Sequence, residues 1–429
     1  MTINLKLSKL IKGGLFSVFG ASVINKGILF VSNIIIVRLM FKNEYGNFSY
    51  AQNALNLFML ISGLGTTAAI MQFRSENRDF DDKKYYTSMG IAIGIISNIF
   101  LSLIIFLVGY NNLLILKNSN TYLIYLFLVP IFLLIIDYIF VILRSEYKNN
   151  KFAILTIINT ILTFGTTFLG LYFYNAYIMI IFRYIAYIIT IIIGIYMIKD
   201  YLTLDFKVNR NRYKFKEFIK FSMVTALSNV ISQFILYIDA FIIGMLIIDP
   251  NITANYKIAT TIPLNLTFIP TSIITFIYPY FAKNKDSLKW IKNKTYKLII
   301  SLLFINLILC GVLIIFAPTV IKLLFGREYL DAVYIFRILI LGFLIQSTFR
   351  IPFGNILVMV RKINYNLINS VLSGIINIIL NIILIHRYND VGAAYAKLFT
   401  FLISSIIGFI FFKRYLNNSK NKCMKEEVA

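Results

Sequence analysis

The stretch LIISLLFINLILCGVLIIF, residues 298–316, runs without a single charge, and segments of this kind recur along the whole chain. A helix needs about 20 apolar residues to cross about 30 Å of hydrocarbon. The apolar segments therefore divide into about twelve spanning helices, at roughly 13–40, 46–72, 86–110, 121–143, 152–174 and 177–198, then 218–248, 252–282, 296–317, 331–360, 365–386 and 391–412. No soluble fold of 429 residues tolerates 59% hydrophobic and only 14% charged residues, with a mean hydropathy of +0.80. Charges cluster between the segments instead of alternating along ten-residue strands, so the expected fold is an all-α polytopic membrane protein rather than a β-barrel. The first segment follows Lys6, Lys9 and Lys12 but contains Lys26 and has no small-residue cleavage site, so it reads as a retained helix and not a signal peptide. Cys310 and Cys423 are too few, and too differently placed, for a disulfide framework.

The net charge of +24 raises the question of a nucleic-acid partner. The distribution of the cations answers it. The N-terminus, the connections after even-numbered spans and the C-terminal tail hold about 29 Lys and Arg, against about five in the alternate connections. This is the positive-inside asymmetry; it puts both termini in the cytoplasm, fits an even number of spans, and leaves no nucleic acid to be invoked. The outer connections are short, so no extracytoplasmic domain is available to hold an active site. The long cytoplasmic connections KDYLTLDFKVNRNRYKFKE and KNKDSLKWIKNKTYK read as interfacial segments, with Tyr213, Phe215 and Trp290 toward lipid.

Shifting the chain by about 206 residues lays the first helix pair on the seventh and eighth, with Tyr50 on Tyr256 and Asn33 on Asp239. The expected organisation is an N-terminal six-helix lobe (1–205), a C-terminal six-helix lobe (206–415) and a basic cytoplasmic tail (416–429), the lobes being parallel repeats with a substrate site between them.

Besides Asp239, the apolar spans hold Lys26, Arg38, Asp137, Arg183, Lys257, Arg337, Arg350 and Lys397. A charge at mid-bilayer costs roughly 2.5 to 3.5 kcal/mol on insertion scales and faces a bundle interior or a wet cavity. At 1.5 Å per residue, Asp239 lies about 15 Å from the outer end of its span, with Lys26 and Arg350 at similar depth. Asp239 needs a cation nearby, and Lys26 and Lys257 are the expected partners. Its two readings are a structural ion pair and an ion-coupling carboxylate. Arg38 beside Phe41 and Lys42 suits snorkelling, while Arg183, Lys257, Arg337 and Lys397 lie near enough to the outer surface for snorkelling or local pairing to compete with a ligand role. Asp137 reads as structural. Seven cations against two carboxylates favour an anionic ligand, and Arg in particular suits phosphate.

Other motifs carry less. Asp79-Phe80-Asp81 after Arg78 has the Asp-x-Asp pattern of some glycosyltransferases but lies on a short connection; Gly90 and Gly94 form a GxxxG packing site in the third span. With His386 the sole histidine and no phosphate-binding glycine loop, neither a metal nor another cofactor is expected. Pro250, Pro263, Pro270 and Pro279 around the eighth span and Pro352 in the tenth mark bends.

Six stretches, VRLMFKNEYGNFSYAQ, ISGLGTTAAIMQF, YIDAFIIGMLI, YKIATTIPLNLTFIPTSIITFIYPYFAK, LLFGREYLDAVYIFRILILGFLIQS and VGAAYAKLFTFLISSIIGF, resemble in order and spacing the polysaccharide-export flippases. These are the O-antigen and capsule repeat-unit translocases of the multidrug/oligosaccharidyl-lipid/polysaccharide exporter superfamily. The resemblance implies alternating-access transfer of an undecaprenyl-pyrophosphate-linked oligosaccharide across a bacterial plasma membrane, coupled to an ion gradient. Its partners would be membrane lipids and a glycan polymerase machinery. Lys26, Arg38, Lys257, Arg337 and Arg350 would then bind substrate, and Asp239 would couple the ion. Two alternatives stay open: a small-molecule or drug antiporter of the same fold, and a membrane polysaccharide polymerase or ligase.

Overall fold

The computed structural model describes residues 15–76, 79–201, 212–284, 287–360 and 362–426. Lys6, Lys9, Lys12, Arg78 and most of the connection after the sixth span lie outside them. The described residues are helical, with no strand among them. The chain forms two compact units, Met1–Gln233 and Phe234–Ala429.

The first unit contains α1 (Leu15–Leu39), α2 (Lys42–Met59), α3 (Thr66–Ser75), α4 (Phe80–Tyr110), α5 (Lys117–Tyr125), α6 (Val129–Ser145), α7 (Asn149–Phe173), α8 (Ala176–Ile198) and the first part of α9 (Arg212–Leu246). The second holds the rest of α9, α10 (Pro250–Leu266), α11 (Phe268–Lys283), α12 (Leu288–Ile315), α13 (Ala317–Leu324), α14 (Ala332–Ile345), a π-helical turn (Gln346–Arg350), α15 (Ile351–Met359) and α16 (Ile363–Glu426). Each of the twelve apolar stretches falls on one helix, on a broken pair or on one arm of α16. Seven described helical segments are long and apolar enough to span a bilayer, or eight with the pair α5–α6, bent by 42°. Polar residues break or join the spans at definable points. Asn175 caps α8, accepting from the backbone N–H of Tyr177 and Ile178, both at 3.0 Å. Asp249 caps α10, with Pro250 at its first turn.

In the first unit, α2 passes to α3 through a left-handed turn in which Gly63 (φ 59°) and Gly65 (φ 75°) flank Leu64 (φ 48°). A Cβ on Gly65 would stand 2.2 Å from the Ser222 backbone oxygen, so both its conformation and its closeness to α9 require glycine. The turn is stapled by Asn98, whose Oδ1 accepts from the Gly63 N–H at 2.7 Å. Phe73, Tyr86 and Phe218 stack in the adjoining core. Gly90 and Gly94 are a close-packing site as expected: a Cβ at 94 would overlap the Tyr138 hydroxyl, which is hydrogen-bonded to Thr66 and to the Gly90 carbonyl. Buried Arg74, at the end of α3, donates to Ser145 Oγ, Thr87 Oγ1, Glu146 Oε1 and the Tyr201 carbonyl. The Asp-x-Asp stretch forms the start of α4, where Asp82 pairs with Lys214.

In the second unit, α14 packs against α10, α12 and α16, and α11 against α15. The tenth span carries its irregularity at the π turn, just before Pro352. Asn306 of α12 donates to Thr348 Oγ1 inside that turn at 3.0 Å. The last two spans form the arms of α16, which reverses direction at Asn389 (φ 52°). Gly392 makes the corner possible, since a Cβ there would lie 2.0 Å from the Leu384 carbonyl oxygen. The helix continues through the basic stretch to Glu426.

Candidate functional site

The two arms of α16 carry matching polar rows. Asn369, Ser373, Asn377 and Asn381 repeat every fourth residue and so share one face of the first arm. Lys397, Thr400 and Ser404, three and then four residues apart, share one face of the second. Every one of these side chains is buried. Asn377 Nδ2 donates to Thr400 Oγ1 at 3.4 Å. Asn369 Nδ2 donates to the Ser404 carbonyl at 3.0 Å, and Ser404 Oγ donates back to Asn369 Oδ1 at 3.1 Å. In hydrocarbon, where apolar contact gives neighbouring helices no advantage over lipid, such bonds hold helices together.

Asp239 of α9 completes the cluster. It is 1% exposed and accepts three hydrogen bonds: from the Lys397 ammonium on Oδ2, from Asn381 Nδ2 on Oδ1 at 2.8 Å, and from the Tyr256 hydroxyl of α10 on Oδ2 at 3.3 Å. Three helices thus converge on one carboxylate. Its attraction to Lys397, itself 4% exposed, and these hydrogen bonds offset the desolvation of both charges. The amide oxygens of Asn377 and Asn381 are buried with no hydrogen-bond partner among the described residues. A cavity of about 20 Å³, enough for one water molecule, borders Lys397 between Thr260, Pro263, Leu264, Leu339, Phe343, Gln346 and Phe401.

The cation expected beside Asp239 is present, but it is Lys397 and not Lys26 or Lys257. Lys397 is therefore no snorkelling residue: the corner at Gly392 turns its helix inward toward α9. Arg350, at the end of the π turn, donates from Nε to Ser404 Oγ at 3.1 Å and lies over the Phe401 ring at 5.6 Å. Arg337 donates from Nε to the Ile314 carbonyl at 3.2 Å, and Arg183 from Nε to Thr167 Oγ1 at 3.1 Å. Each arginine is thereby tethered within its own unit by one nitrogen. Lys257, next to Tyr256, is half-buried; Lys26 and Arg38 are exposed along α1, and Asp137 is exposed on α6. Of the seven cations read as favouring an anionic ligand, Lys397 is neutralised by Asp239, and three arginines have local acceptors. Asn377 and Asn381 escaped the sequence reading because they are uncharged, and Tyr256 entered it only through the internal repeat. The four-residue spacing in NLINSVLSGIINIILN was the signal that pointed to the asparagines.

Residues 11–285 match the family described as polysaccharide biosynthesis protein. No curated protein matches the sequence. Among solved structures, the lipid II flippase MurJ in an inward closed conformation superposes with a TM-score of 0.75 at 17% identity, over 92% of this chain and 87% of that one. An inward-facing multidrug resistance MATE family transporter of the MOP superfamily gives the same TM-score at 13% identity, over 92% and 96%. A MOP superfamily transporter from Pyrococcus furiosus, described as having a binding pocket of reverse polarity, gives 0.63 at 13% identity, over 96% of each chain. The chain belongs to the polysaccharide biosynthesis protein family and has the fold of the MOP transporters.

Proposed function

We propose that this protein carries an undecaprenyl-pyrophosphate-linked oligosaccharide repeat unit from the cytoplasmic to the outer leaflet of a bacterial plasma membrane. The match over residues 11–285 to a polysaccharide biosynthesis family, on a transporter fold, carries this reading. The protein works as a flippase and not as an enzyme, by alternating access of two six-helix halves (1–205 and 206–415) whose termini and basic tail lie in the cytoplasm. A glycan polymerase machinery receives the cargo outside.

Lys26, Arg38 and Lys257 attract the pyrophosphate, and the terminal nitrogens of Arg337 and Arg350 complete its binding. Those two arginines use only Nε in the hydrogen bonds described above, which supports assigning the rest of the guanidinium to an anion. Asp239 couples transfer to an ion gradient. A buried carboxylate whose neutralisation would loosen contacts from three helices suits that role.

A deletion strain tests the reading. Loss of the protein is expected to strand finished lipid-linked repeat units on the cytoplasmic leaflet and abolish the surface glycan. Normal surface glycan in the deletion, with no substitute translocase, contradicts it. The equal likeness to the MATE transporter favours a small-molecule antiporter as the second reading; raised susceptibility to cationic dyes with unchanged glycan is its signature.

A further inference from the structure

We infer that Lys397 fixes which ion drives this protein: its ammonium fills an oxygen-lined position that a small monovalent cation would otherwise take, so the site answers to protons alone. The inference rests on Asp239 as the coupling carboxylate and concerns only the second unit.

The donor set is that of a cation site. Asp239 supplies two carboxylate oxygens and Tyr256 a hydroxyl. Asn381 lies within 2.8 Å of Asp239 through its amide nitrogen, and its amide oxygen is buried without a hydrogen-bond partner among the described residues, as is that of Asn377 one turn away. Asp239 and Tyr256 thus set oxygens around the buried ammonium, and two unpartnered amide oxygens lie on the facing arm of α16, outside hydrogen-bond reach of Lys397. One carboxylate balances one positive charge, and the charge present is an ammonium on a tether. Lys397 makes one hydrogen bond, to Asp239, among the described residues.

Tethering decides the competition. An ammonium on the same chain has an effective concentration of millimolar or more, and the protein sheds its hydration on folding, whereas a sodium ion would shed its own on each turnover. An alkali cation would also place a second positive charge against Lys397, with Lys257 beside Tyr256 on α10. Arg350, two turns along α16 at Ser404, adds to that field. A proton has an alternative. It joins the Asp239 carboxylate at Oδ2, the Lys397 hydrogen bond to that oxygen is lost, and the lysine keeps its own proton. The site then carries one more positive charge, and the second arm of α16 is released from α9. The water-sized cavity bordering Lys397 gives the proton a place from which to arrive.

The test uses the purified full chain in nanodiscs, with thermal unfolding read in equal concentrations of sodium, potassium and choline chloride. The wild type is expected to unfold at one temperature in all three salts. Lys397→Ala leaves the oxygens without their ammonium, and its unfolding temperature is expected to rise by about 5 °C or more in sodium or potassium over choline. Adding Asp239→Asn should abolish that rise. Stabilisation of the wild type by sodium or potassium over choline overturns the inference, and needs no variant to fold. A Lys397→Ala protein that is stabilised by acid but by neither alkali cation overturns it as well. No readout uses cargo, so failure here leaves the flippase reading standing, and failure of that reading leaves the ion measurement intact.

Discussion

Replacing Asp239 with Ala is expected to lower stability by about 3 to 5 kcal/mol, because the change strands the Lys397 ammonium in a site closed to water. In a unit of this size that loss corresponds to a fall in unfolding temperature of roughly 5 to 15 °C. The more telling comparison is the paired variant Asp239→Asn with Lys397→Met. It removes both charges at similar volume, and a buried ion pair exchanged for neutral groups costs little. The paired variant is expected to unfold within about 3 °C of the wild type and yet to transport nothing. A single Asp239→Ala protein as stable as the wild type would show that the pair holds nothing together. A paired variant that still transports would show that it moves nothing.

Arg74→Met gives the second large effect, in the other unit. The methionine keeps most of the apolar stem but removes donors to Ser145, Thr87, Glu146 and the Tyr201 carbonyl, which come from three separate stretches of chain. Hydrogen bonds from a charged donor contribute about 1.5 to 3 kcal/mol each, and Glu146 is partly solvated, so a net loss of about 3 kcal/mol is expected. Arg74→Lys should recover less than half of it, since an ammonium cannot reach four acceptors in the geometry of a planar fork. Thermal unfolding, with hydrogen exchange at the end of α6, checks both. Full recovery by lysine would mean that charge alone, and not the fork, holds these segments.

The spans were legible because a bilayer leaves few solutions: a run such as 298–316 has to be a helix, and its length fixes how far it reaches. The breaks inside spans were less so. Gly63 and Gly65 bend the second span because α9 comes within a Cβ's reach of Gly65, a tertiary fact invisible in a local window. The π turn before Pro352 depends on Asn306, some forty residues earlier. At the candidate site, Asp239 stood out through its cost, and the need for a cation followed. Which cation did not follow, because depth along a span does not tell which neighbouring helix a side chain faces, and the last span turns Lys397 toward α9. The asparagines stayed hidden since an uncharged side chain pays too little in lipid to draw attention unless its spacing is read.

Transfer measured in reconstituted vesicles tests the central claim most directly. Fluorescent pyrophosphate-linked oligosaccharide on a polyprenyl chain is placed in one leaflet, and its appearance in the other is followed under a pH gradient. The wild type is expected to move it. Lys26→Ala with Arg350→Ala is expected to slow transfer by about tenfold or more, the loss of one charged hydrogen bond or greater. Vesicles in which lipid crosses no faster than without protein, or in which the double variant equals the wild type, would contradict an anionic lipid cargo held by these cations.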